Sequence, residues 1–406
     1  MISQQELNDY FVSKKKDFPL LNKYPDLVYL DSAATTQKPK SVIETMNRYY
    51  TSKNANVHRA LYALAEESTR VFEESRKKVA DFIDCEEREV IFTRGTTQSL
   101  NILAYALAFS NSYKTFVVPK FEHHSNYVPW QQMERFGIEF VPVNIDKVSL
   151  SITEVKRIIS SINKPFAFSI TGLTNSLGYR TPFEEITDLV HKKGGIVVVD
   201  CAQLIPHEEF SFKKSGVDFV AFSGHKMLGP MGIGALVGKG DLLEKLNPTE
   251  FGGEMIDKVY EESTTFNKLP YKFEAGTPNV SGAAGLAKAI DYLKEIGFSK
   301  LNKYIGYLTN KAIESLKRIN GITIFNDKKA HGIIGFSHEY VHPHDLAELL
   351  SRLSNVAVRS GHHCSQLQMK ALGISSMCRA SFYLYNTPED VDALVDGIEK
   401  SLRWFS

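Results

Sequence analysis

Short apolar runs alternate with stretches of helical periodicity along much of the chain. Runs rich in β-branched and aromatic side chains predict buried strands at 90–93, 115–118, 167–170, 196–200 and 217–222. Apolar residues at helical spacing predict helices at 4–10, 40–50 and 66–82, and a further helix that follows 94–98 and runs to 108. This alternation indicates an α/β fold with a mainly parallel sheet flanked by helices.

The pattern changes toward the C-terminus, where helical periodicity dominates from about residue 287 and short strands are predicted at 332–336 and 356–359. A chain of 406 residues suits more than one domain. We therefore expect an N-terminal arm at 1–21 that packs with the small domain, a large domain at 22–290 and a smaller α+β domain at 291–406.

Composition and charge narrow the class of protein. The 48 lysines and arginines nearly balance the 47 acidic residues, so the net charge of +1 gives no reason to expect nucleic acid or an acidic membrane as a partner. Residues 1–21 are polar, with a lysine cluster at 14–16 and no apolar core, so we expect neither a signal peptide nor a membrane anchor and predict a cytoplasmic protein. Pro19 and Pro25 are expected to break the chain before an extended segment at 27–30.

The strand predicted at 217–222 leads into a polar, glycine-rich loop that contains Ser223, His225 and Lys226. Burial disfavours the ammonium form of lysine, so an amine held among apolar walls can form a Schiff base with a carbonyl cofactor. The alternative is a solvated lysine in a turn, and the short motif by itself leaves both interpretations open.

A second strand, at 196–200, ends on the carboxylate of Asp200, and Gln203 follows shortly after it. Open α/β sheets bind ligands at the carboxyl ends of their strands. An aspartate there can keep a pyridinium nitrogen protonated, while Gln203 can reach a ring oxygen. The alternative is an aspartate that caps a helix.

Two more strands end on residues with cofactor chemistry. The strand at 90–93 leads to Thr96 and Thr97 at the start of a helix, where backbone amides and two hydroxyls are typical of a phosphate site. The next strand leads to His123, whose imidazole can stack on a ring. Together with the lysine and the aspartate, these strand ends describe a pocket for pyridoxal phosphate.

Ordered blocks along nearly the whole chain carry a resemblance to a known family. They lie at 29–34, 56–59, 94–97, 122–124, 223–226, 273–278, 361–364 and 379–381. On these blocks the chain resembles the SUF-type (group II) cysteine desulfurases, which are fold-type I pyridoxal-phosphate enzymes of the class V aminotransferase family. The resemblance implies a fold-type I transferase that converts L-cysteine to L-alanine and leaves sulfur on Cys364 as a persulfide for iron–sulfur cluster assembly. The alternatives are selenocysteine lyase or cysteine sulfinate desulfinase activity, or a sulfur-assembly partner that has lost its chemistry.

The resemblance also assigns roles that the pattern alone does not. It implies that Lys226 moves the α-proton of the substrate and that His123 assists protonation. It further implies that Thr277 donates to the cofactor phosphate of a neighbouring subunit, and hence that the protein is a homodimer. The substrate-binding residues that it implies are Ala33, His58, Asn175, Arg359 and Arg379. The cofactor-binding residues, besides the lysine, His123 and Thr277, are Thr96, Thr97, Asn175, Asp200, Gln203, Ser223 and His225.

The sequence departs from the family pattern in three places. Residues 172–174, Gly-Leu-Thr, replace the usual His-Val-Ser, and Cys201 stands where glycine is usual. Leu367 replaces the proline of the usual Cys-Ala-Gln-Pro. We expect these changes to affect the shape of the pocket and the stiffness of the loop that follows Cys364.

The loop at 359–366 carries Cys364 beside His362 and His363, and its glycine and polar residues predict an exposed, mobile loop. Two imidazoles can lower the thiol pKa from about 8.5 toward neutrality and so provide a thiolate nucleophile. The same three donors could hold a metal, but adjacent side chains rarely give ligand geometry, so no metal is expected. The cysteines, at positions 85, 201, 364 and 378, show no disulfide framework.

Arg379 comes before an apolar run at 381–385 that predicts a strand. A planar guanidinium suits bidentate capture of an amino-acid carboxylate, which is the role that the resemblance implies. The alternative is a surface ion pair.

The segment 340–345 contains two histidines, His342 and His344, on either side of a proline. It is similar to the corresponding block of desulfurases that pair with a zinc-bound, scaffold-like sulfurtransferase. The resemblance implies that His342 replaces a cysteine on the zinc of that partner and frees the cysteine to accept sulfur. The alternative is the start of a helix with Asp345 near its cap.

Overall fold

The computed structural model describes residues 3–326 and 329–404. Its helices are α1 (Gln4–Lys15), α2 (Pro19–Lys23), α3 (Lys40–Ser52), α4 (Ala63–Ile83), α5 (Thr96–Phe109), α6 (His124–Gln132), α7 (Ile152–Ser161), α8 (Phe183–His191), α9 (Phe212–Ser215), α10 (Gly240–Lys245), α11 (Val280–Ile296), α12 (Phe298–Leu316), α13 (Pro343–Ser354), α14 (Gln366–Leu372) and α15 (Pro388–Leu402). Its strands are β1 (Val28–Tyr29), β2 (Val90–Thr93), β3 (Thr115–Pro119), β4 (Glu139–Val143), β5 (Phe166–Thr171), β6 (Ile196–Asp200), β7 (Phe219–Ser223), β8 (Gly234–Gly238), β9 (Ile256–Val259), β10 (Thr264–Phe266), β11 (Ile322–Ile324), β12 (Ile333–His338), β13 (Val356–Ala357), β14 (Arg359–Gly361) and β15 (Met377–Ser381).

Seven strands form the central sheet in the order β2-β8-β7-β6-β5-β3-β4. In this order, each strand from β7 to β4 is parallel to the next one. β8 runs antiparallel to both of its neighbours, β7 and β2. The five strands predicted from apolar runs all lie in this sheet and are buried along their whole length. Strands covered on both faces by helices require such continuous apolar sequence. The predicted α/β fold with a mainly parallel sheet is confirmed.

The parallel strands bring their carboxyl ends to one edge of the sheet. The register pairs Asp200, the last residue of β6, with Thr171 of β5 and Ala221 of β7. Ser223 ends β7, and the chain then enters a 3-10 turn, Gly224–Lys226. Because these ends lie side by side, polar residues that follow different strands meet at this edge.

The long helices that flank the sheet follow the predicted periodicity. α3, α4 and α5 confirm the helices predicted at 40–50, at 66–82 and up to 108. α4 buries Phe72, Val79 and Ile83 on one face and ends where Asp84 adopts a left-handed φ of 58°. The apolar stripe at helical spacing is therefore the face that packs on the core.

The N-terminal segment is more helical than the sequence indicated. α1 starts with a capping box in which the Ser3 hydroxyl accepts from the Glu6 amide, and its Phe11 ring stacks on Tyr304 with centroids 4.2 Å apart. α1 ends at Lys15 and Pro19 opens a separate helix, α2, so the expected break in the chain is present. Pro19 occupies the first turn of α2, where the missing amide hydrogen costs no hydrogen bond.

The C-terminal part contains a four-stranded antiparallel sheet in the order β11-β12-β15-β14. The strand predicted at 381–385 is wrong, because Arg379 lies inside β15, paired with Gly335 on one side and Arg359 on the other. The apolar residues after Ser381 are buried by ring packing instead of strand pairing. Tyr385, for example, meets Phe18 edge-on at 4.9 Å.

Residues 3–326 and 329–404 contain neither a membrane-spanning helix nor a cluster of metal ligands. No helix in these ranges is long and apolar enough to cross a membrane. The same ranges contain no group of three or more histidine, cysteine, aspartate or glutamate side chains placed to hold a metal ion.

Candidate active site

A cavity of about 180 Å³ lies at the carboxyl edge of the central sheet. Most of the residues singled out from the sequence line it: Ala33, Thr96, Thr97, His123, Asn175, Asp200, Gln203, Ser223, His225, Lys226, Arg359 and Arg379. They come from at least six separate segments of the chain, so the fold assembles them. Cys364, His58, Thr277 and His342 do not line this cavity.

Lys226 is presented to the cavity by the 3-10 turn that follows β7. Burial lowers its pKa to about 8, while the nearby Asp200 carboxylate opposes this shift. An appreciable fraction of the side chain is therefore a neutral amine near neutral pH. The structure thus provides an amine nucleophile at this position, and the alternative of a solvated lysine in a turn does not hold.

Asp200 is buried at the end of β6, and its Oδ1 accepts a hydrogen bond from the Ala202 amide at 2.9 Å. Burial raises its pKa, and the positive charge of Lys226 counteracts that rise. Gln203 lies beside it and donates from Nε2 to the carbonyl of Ala33 at 2.7 Å. Together they place a buried carboxylate and an amide on one wall of the cavity.

The N-terminus of α5 faces the cavity, which Thr96 and Thr97 line. Gly95 precedes the helix with a φ of 143°, supplies no side-chain cap and approaches Ser223 so closely that an added Cβ would meet its Oγ at 3.0 Å. The Thr96 amide donates to Ser223 Oγ at 2.8 Å, and the Thr97 hydroxyl bonds Ser125 Oγ at 2.7 Å. Hydroxyls and amides at a helix N-terminus suit a phosphate group.

His123 caps the N-terminus of α6, and its Nδ1 accepts from the Ser125 amide at 3.0 Å. Burial, followed by the positive charge of Lys226, lowers the His123 pKa to about 3. The ring is therefore neutral near pH 7 and carries its hydrogen on Nε2. It offers the cavity a flat face and one N–H donor.

Two guanidinium groups, Arg359 and Arg379, line another wall. Arg379 is buried and donates from Nη2 to Asp31 Oδ1 at 2.9 Å and from Nη1 to the Asn175 carbonyl at 2.8 Å. Its Nε is buried with no hydrogen-bond partner among the described residues. The arginine does form an ion pair, but a buried one that leaves a donor free for an anionic ligand.

Cys364 lies at the edge of the cavity rather than in it. Its backbone has a left-handed φ of 57°, its carbonyl accepts from the His124 amide at 2.8 Å, and its Sγ lies 3.8 Å from Arg359 Nη2. His363 is buried, bonds the Met377 carbonyl through Nε2 at 3.0 Å, and burial lowers its pKa to about 3. The expectation of an exposed loop with two imidazoles acting on the thiol was therefore wrong for His363, and the nearby cation is Arg359.

The remaining predicted residues lie elsewhere. His58 follows α3 and pairs through Nε2 with Glu73 at 2.8 Å, and Thr277 precedes α11 at the rim of two surface clefts. His342 caps α13, with its Nδ1 accepting from the His344 amide at 3.2 Å, and Asp345 lies in the first turn, so a helix does start here with Asp345 near its cap.

The sequence did not single out two further residues near the site. Lys38 donates from Nζ to the His225 carbonyl at 2.9 Å, and burial lowers its pKa to about 7. Glu122 is fully buried, accepts from the Thr171 amide and from Asn126 Nδ2, both at 2.7 Å, and has a pKa well above its usual range because of burial. The signal for Glu122 is its place directly before His123 at a strand end. Lys38 has no comparable signal in its neighbours.

The donor set fits pyridoxal phosphate. The cavity holds a partly neutral lysine, a buried carboxylate, a neutral imidazole face and a helix N-terminus without a side-chain cap. The orphaned Nε of Arg379 adds a donor for a substrate carboxylate. These groups come from separate parts of the fold, and a shared ligand accounts for their meeting in one small cavity.

Comparison with known proteins gives a consistent result. Residues 28–394 match the family described as aminotransferase class-V. The chain is 44% identical to a probable cysteine desulfurase of Halalkalibacterium halodurans, over 96% of this chain and 98% of that protein. It is 43% identical to a probable cysteine desulfurase of Staphylococcus aureus, over 96% of each chain.

Solved structures agree in fold. The cysteine desulfurase CsdA of Escherichia coli superposes with a TM-score of 0.88 at 32% identity, covering 97% of this chain and 98% of that one. The apo cysteine desulfurase of Thermococcus onnurineus superposes with a TM-score of 0.91 at 34% identity, covering 100% and 99%.

Proposed function

Because this chain belongs to the cysteine desulfurases of the pyridoxal-phosphate-dependent class-V aminotransferase family, we propose that it converts L-cysteine to L-alanine and retains the sulfur as a persulfide on Cys364. The observation that supports this most directly is the pairing of Lys226 with Asp200 in one cavity that has a thiol at its edge. The amine and the carboxylate would bind the cofactor, and the thiol would accept the sulfur.

Each part of the cofactor has residues suited to hold it. The amides of α5, with Thr96, Thr97, Ser223 and His225, would hold the phosphate, Asp200 the ring nitrogen, Gln203 the ring oxygen and His123 the ring face. Pyridoxal phosphate supplies an aldehyde for amine exchange and a ring that withdraws electrons from the substrate α-carbon. Asp200 keeps that ring electron-deficient because its buried carboxylate favours a protonated ring nitrogen.

Other side chains of the cavity bind the substrate and transfer protons. Arg379 and Arg359 bind the substrate carboxylate, with Asn175 and Ala33 beside them, and so orient the α-hydrogen toward Lys226. Lys226 is close enough to neutrality to accept that proton and return it later. His123 donates from Nε2 and assists protonation at the substrate.

Sulfur transfer requires the thiolate of Cys364, whose Sγ lies 3.8 Å from Arg359 Nη2. The thiolate attacks the substrate sulfur, so an S–S bond forms while the carbon–sulfur bond breaks. The bonding electron pair remains with the carbon skeleton, and a proton delivered there completes alanine. The free thiol that this step needs suits a reducing compartment such as the cytoplasm, and the four cysteines are unpaired thiols.

A second copy of the chain is part of the proposal. Thr277 and His58 lie outside the Lys226 cavity of their own subunit, and Thr277 lines two surface clefts beside α11. In a homodimer they would serve the cofactor phosphate and the substrate of the neighbouring subunit. Sedimentation of the active protein tests this, and a fully active monomer would refute it.

We assign the sulfur acceptor to a zinc-bound, scaffold-like sulfurtransferase that meets the protein at His342. The cap bond uses Nδ1, so it leaves Nε2 of this exposed imidazole available as a ligand atom. His342→Ala is expected to keep basal alanine production and lose stimulation by the zinc-loaded partner. Undiminished stimulation would exclude this residue as the contact.

The decisive experiment for the reaction is mass spectrometry of the protein after incubation with L-cysteine. A sulfur adduct on Cys364, with alanine in solution, is the expected result. Alanine measured from cysteine and from selenocysteine, with and without Cys364, separates a desulfurase from a selenocysteine lyase. A protein that stays colourless when pyridoxal phosphate is added would instead indicate a non-catalytic partner.

A further inference from the structure

His58 and Thr277 belong to surface loops that are far apart in the sequence, and neither lines the Lys226 cavity. A residue that serves a neighbouring subunit has to be held firmly by its own. The structure shows what holds these two loops, and it is a network of charged side chains centred on a buried arginine of α4.

Arg76 of α4 is the centre of this network, with only 1% of its side chain exposed. Its two Nη atoms donate to the Glu274 carboxylate at 2.7 and 2.9 Å, and its Nε donates to Glu73 at 2.9 Å. The guanidinium also lies within 5.0 Å of the ring centroids of Phe72 and Phe92. A bidentate, ring-enclosed arginine fixes its carboxylate partners in position.

One arm of the network leads to His58. The second oxygen of Glu73 bonds His58 Nε2 at 2.8 Å, and the His58 amide donates to Thr69 of the same helix at 2.9 Å. His58 has a left-handed φ of 65°, a conformation that non-glycine residues adopt only when their surroundings impose it. Burial would raise the Glu73 pKa, but the bonds from His58 and Arg76 lower it to about 2, so the carboxylate stays charged.

The other arm leads to Thr277 and to the phosphate site. Glu274 precedes Thr277 by three positions, and its Oε1 also accepts from the Phe92 amide of β2 at 2.6 Å. β2 runs directly into the N-terminus of α5. A single carboxylate therefore ties the Thr277 loop to the strand that delivers the phosphate-binding amides.

We propose that Glu73, Arg76 and Glu274 form one positioning unit that sets the His58 loop for the substrate and the Thr277 loop for the cofactor phosphate. This inference rests on the proposed function, in which both loops serve a neighbouring subunit. None of the three residues touches the reacting atoms, so each acts through another residue.

Glu73→Gln tests the first arm with little risk to folding, because 27% of this side chain is exposed and Arg76 keeps Glu274. The variant is expected to raise KM for cysteine about tenfold with kcat nearly unchanged, the size expected when one charge-assisted hydrogen bond is lost. Glu67→Gln is the matched control. Glu67 lies on the same helix, is also 27% exposed and pairs with Lys53 and Arg70 instead, so its KM should equal that of the wild type.

A double-mutant cycle shows whether Glu73 acts through His58. His58→Ala alone should raise KM at least as much as Glu73→Gln, and the double variant should raise it no further. Effects that multiply in the double variant, or a Glu73→Gln enzyme that matches the Glu67→Gln control, would overturn the inference.

The second arm has a readout that does not depend on turnover. Glu274→Gln is expected to weaken pyridoxal phosphate binding about tenfold in an absorbance titration of the cofactor-free protein, and unchanged binding would contradict the proposal. If Glu274→Gln does not fold, the double-mutant cycle of Glu73 and His58 decides whether the inference holds. If the wild type makes no alanine, the proposed function fails, and the cofactor titration still decides the inference.

Discussion

Lys226 allows a direct test of how the fold prepares its amine. In the cofactor-free protein, burial lowers the Lys226 pKa from 10.5 to about 8. The folded state therefore binds fewer protons than the unfolded state between these two values, and stability rises with pH through this window. Below pH 8 the fold holds an ammonium ion that is largely shielded from water in the cavity, which destabilises it. Asp200 reduces this penalty without removing it.

Lys226→Met removes the charge and keeps an unbranched apolar side chain. The pKa displacement corresponds to about 3 kcal/mol at pH 7, so the wild type should gain about 2.5 kcal/mol relative to the variant between pH 7 and pH 10. Urea unfolding of the cofactor-free proteins at each pH measures this difference, with m-values compared to confirm equal exposed surface.

Lys156→Met serves as the control, because Lys156 is exposed on α7 and its replacement should give a difference that does not change with pH. Parallel stability curves for the wild type and Lys226→Met would refute the lowered pKa. If the wild type instead lost stability relative to Lys226→Met as the pH rises, attraction by Asp200 would outweigh the effect of burial on the Lys226 pKa.

The other predictions concern the reaction itself. Cys364→Ser is expected to bind cysteine with the same change in cofactor absorbance and to form no persulfide by mass spectrometry, because a serine hydroxyl is barely ionised at neutral pH; full sulfide release would contradict this. Asp200→Ala should weaken cofactor binding about tenfold or more and abolish alanine formation, and an absorbance titration with an alanine assay checks both. Arg379→Lys should raise KM for cysteine about a hundredfold, because an ammonium cannot replace a bidentate guanidinium; an unchanged KM would exclude the carboxylate role.

The central sheet and the cavity could be predicted because their signals are local. A run of four apolar residues, such as Ile196 to Val199 before Asp200, is typical of a strand that helices cover on both faces. The polar residue after such a run must emerge at the carboxyl edge, whatever the rest of the chain does. Lys226, Asp200 and His123 were recognisable for this reason.

The errors came from regions where distant partners decide the structure. The run at 381–385 is as apolar as a strand, yet β15 ends at Ser381, which is the last residue that pairs with β12. His363 looked exposed among polar neighbours, but it is buried against the Met377 carbonyl. Lys38 donates to the carbonyl of His225, which is 187 residues away in the sequence, and no local pattern predicts such a contact.

Asn175 connects the two chemical halves of the site. Its Nδ2 donates to the His363 carbonyl at 2.7 Å, its Oδ1 accepts from Ser365 Oγ at 3.0 Å, and its carbonyl accepts from Arg379 at 2.8 Å. The same residue therefore holds the backbone of His363 and the side chain of Ser365, on either side of Cys364, together with the guanidinium of Arg379. In the proposed reaction, a substrate bound at Arg379 and the thiol of Cys364 would be aligned by one shared set of hydrogen bonds, so a shift of this asparagine would misplace both.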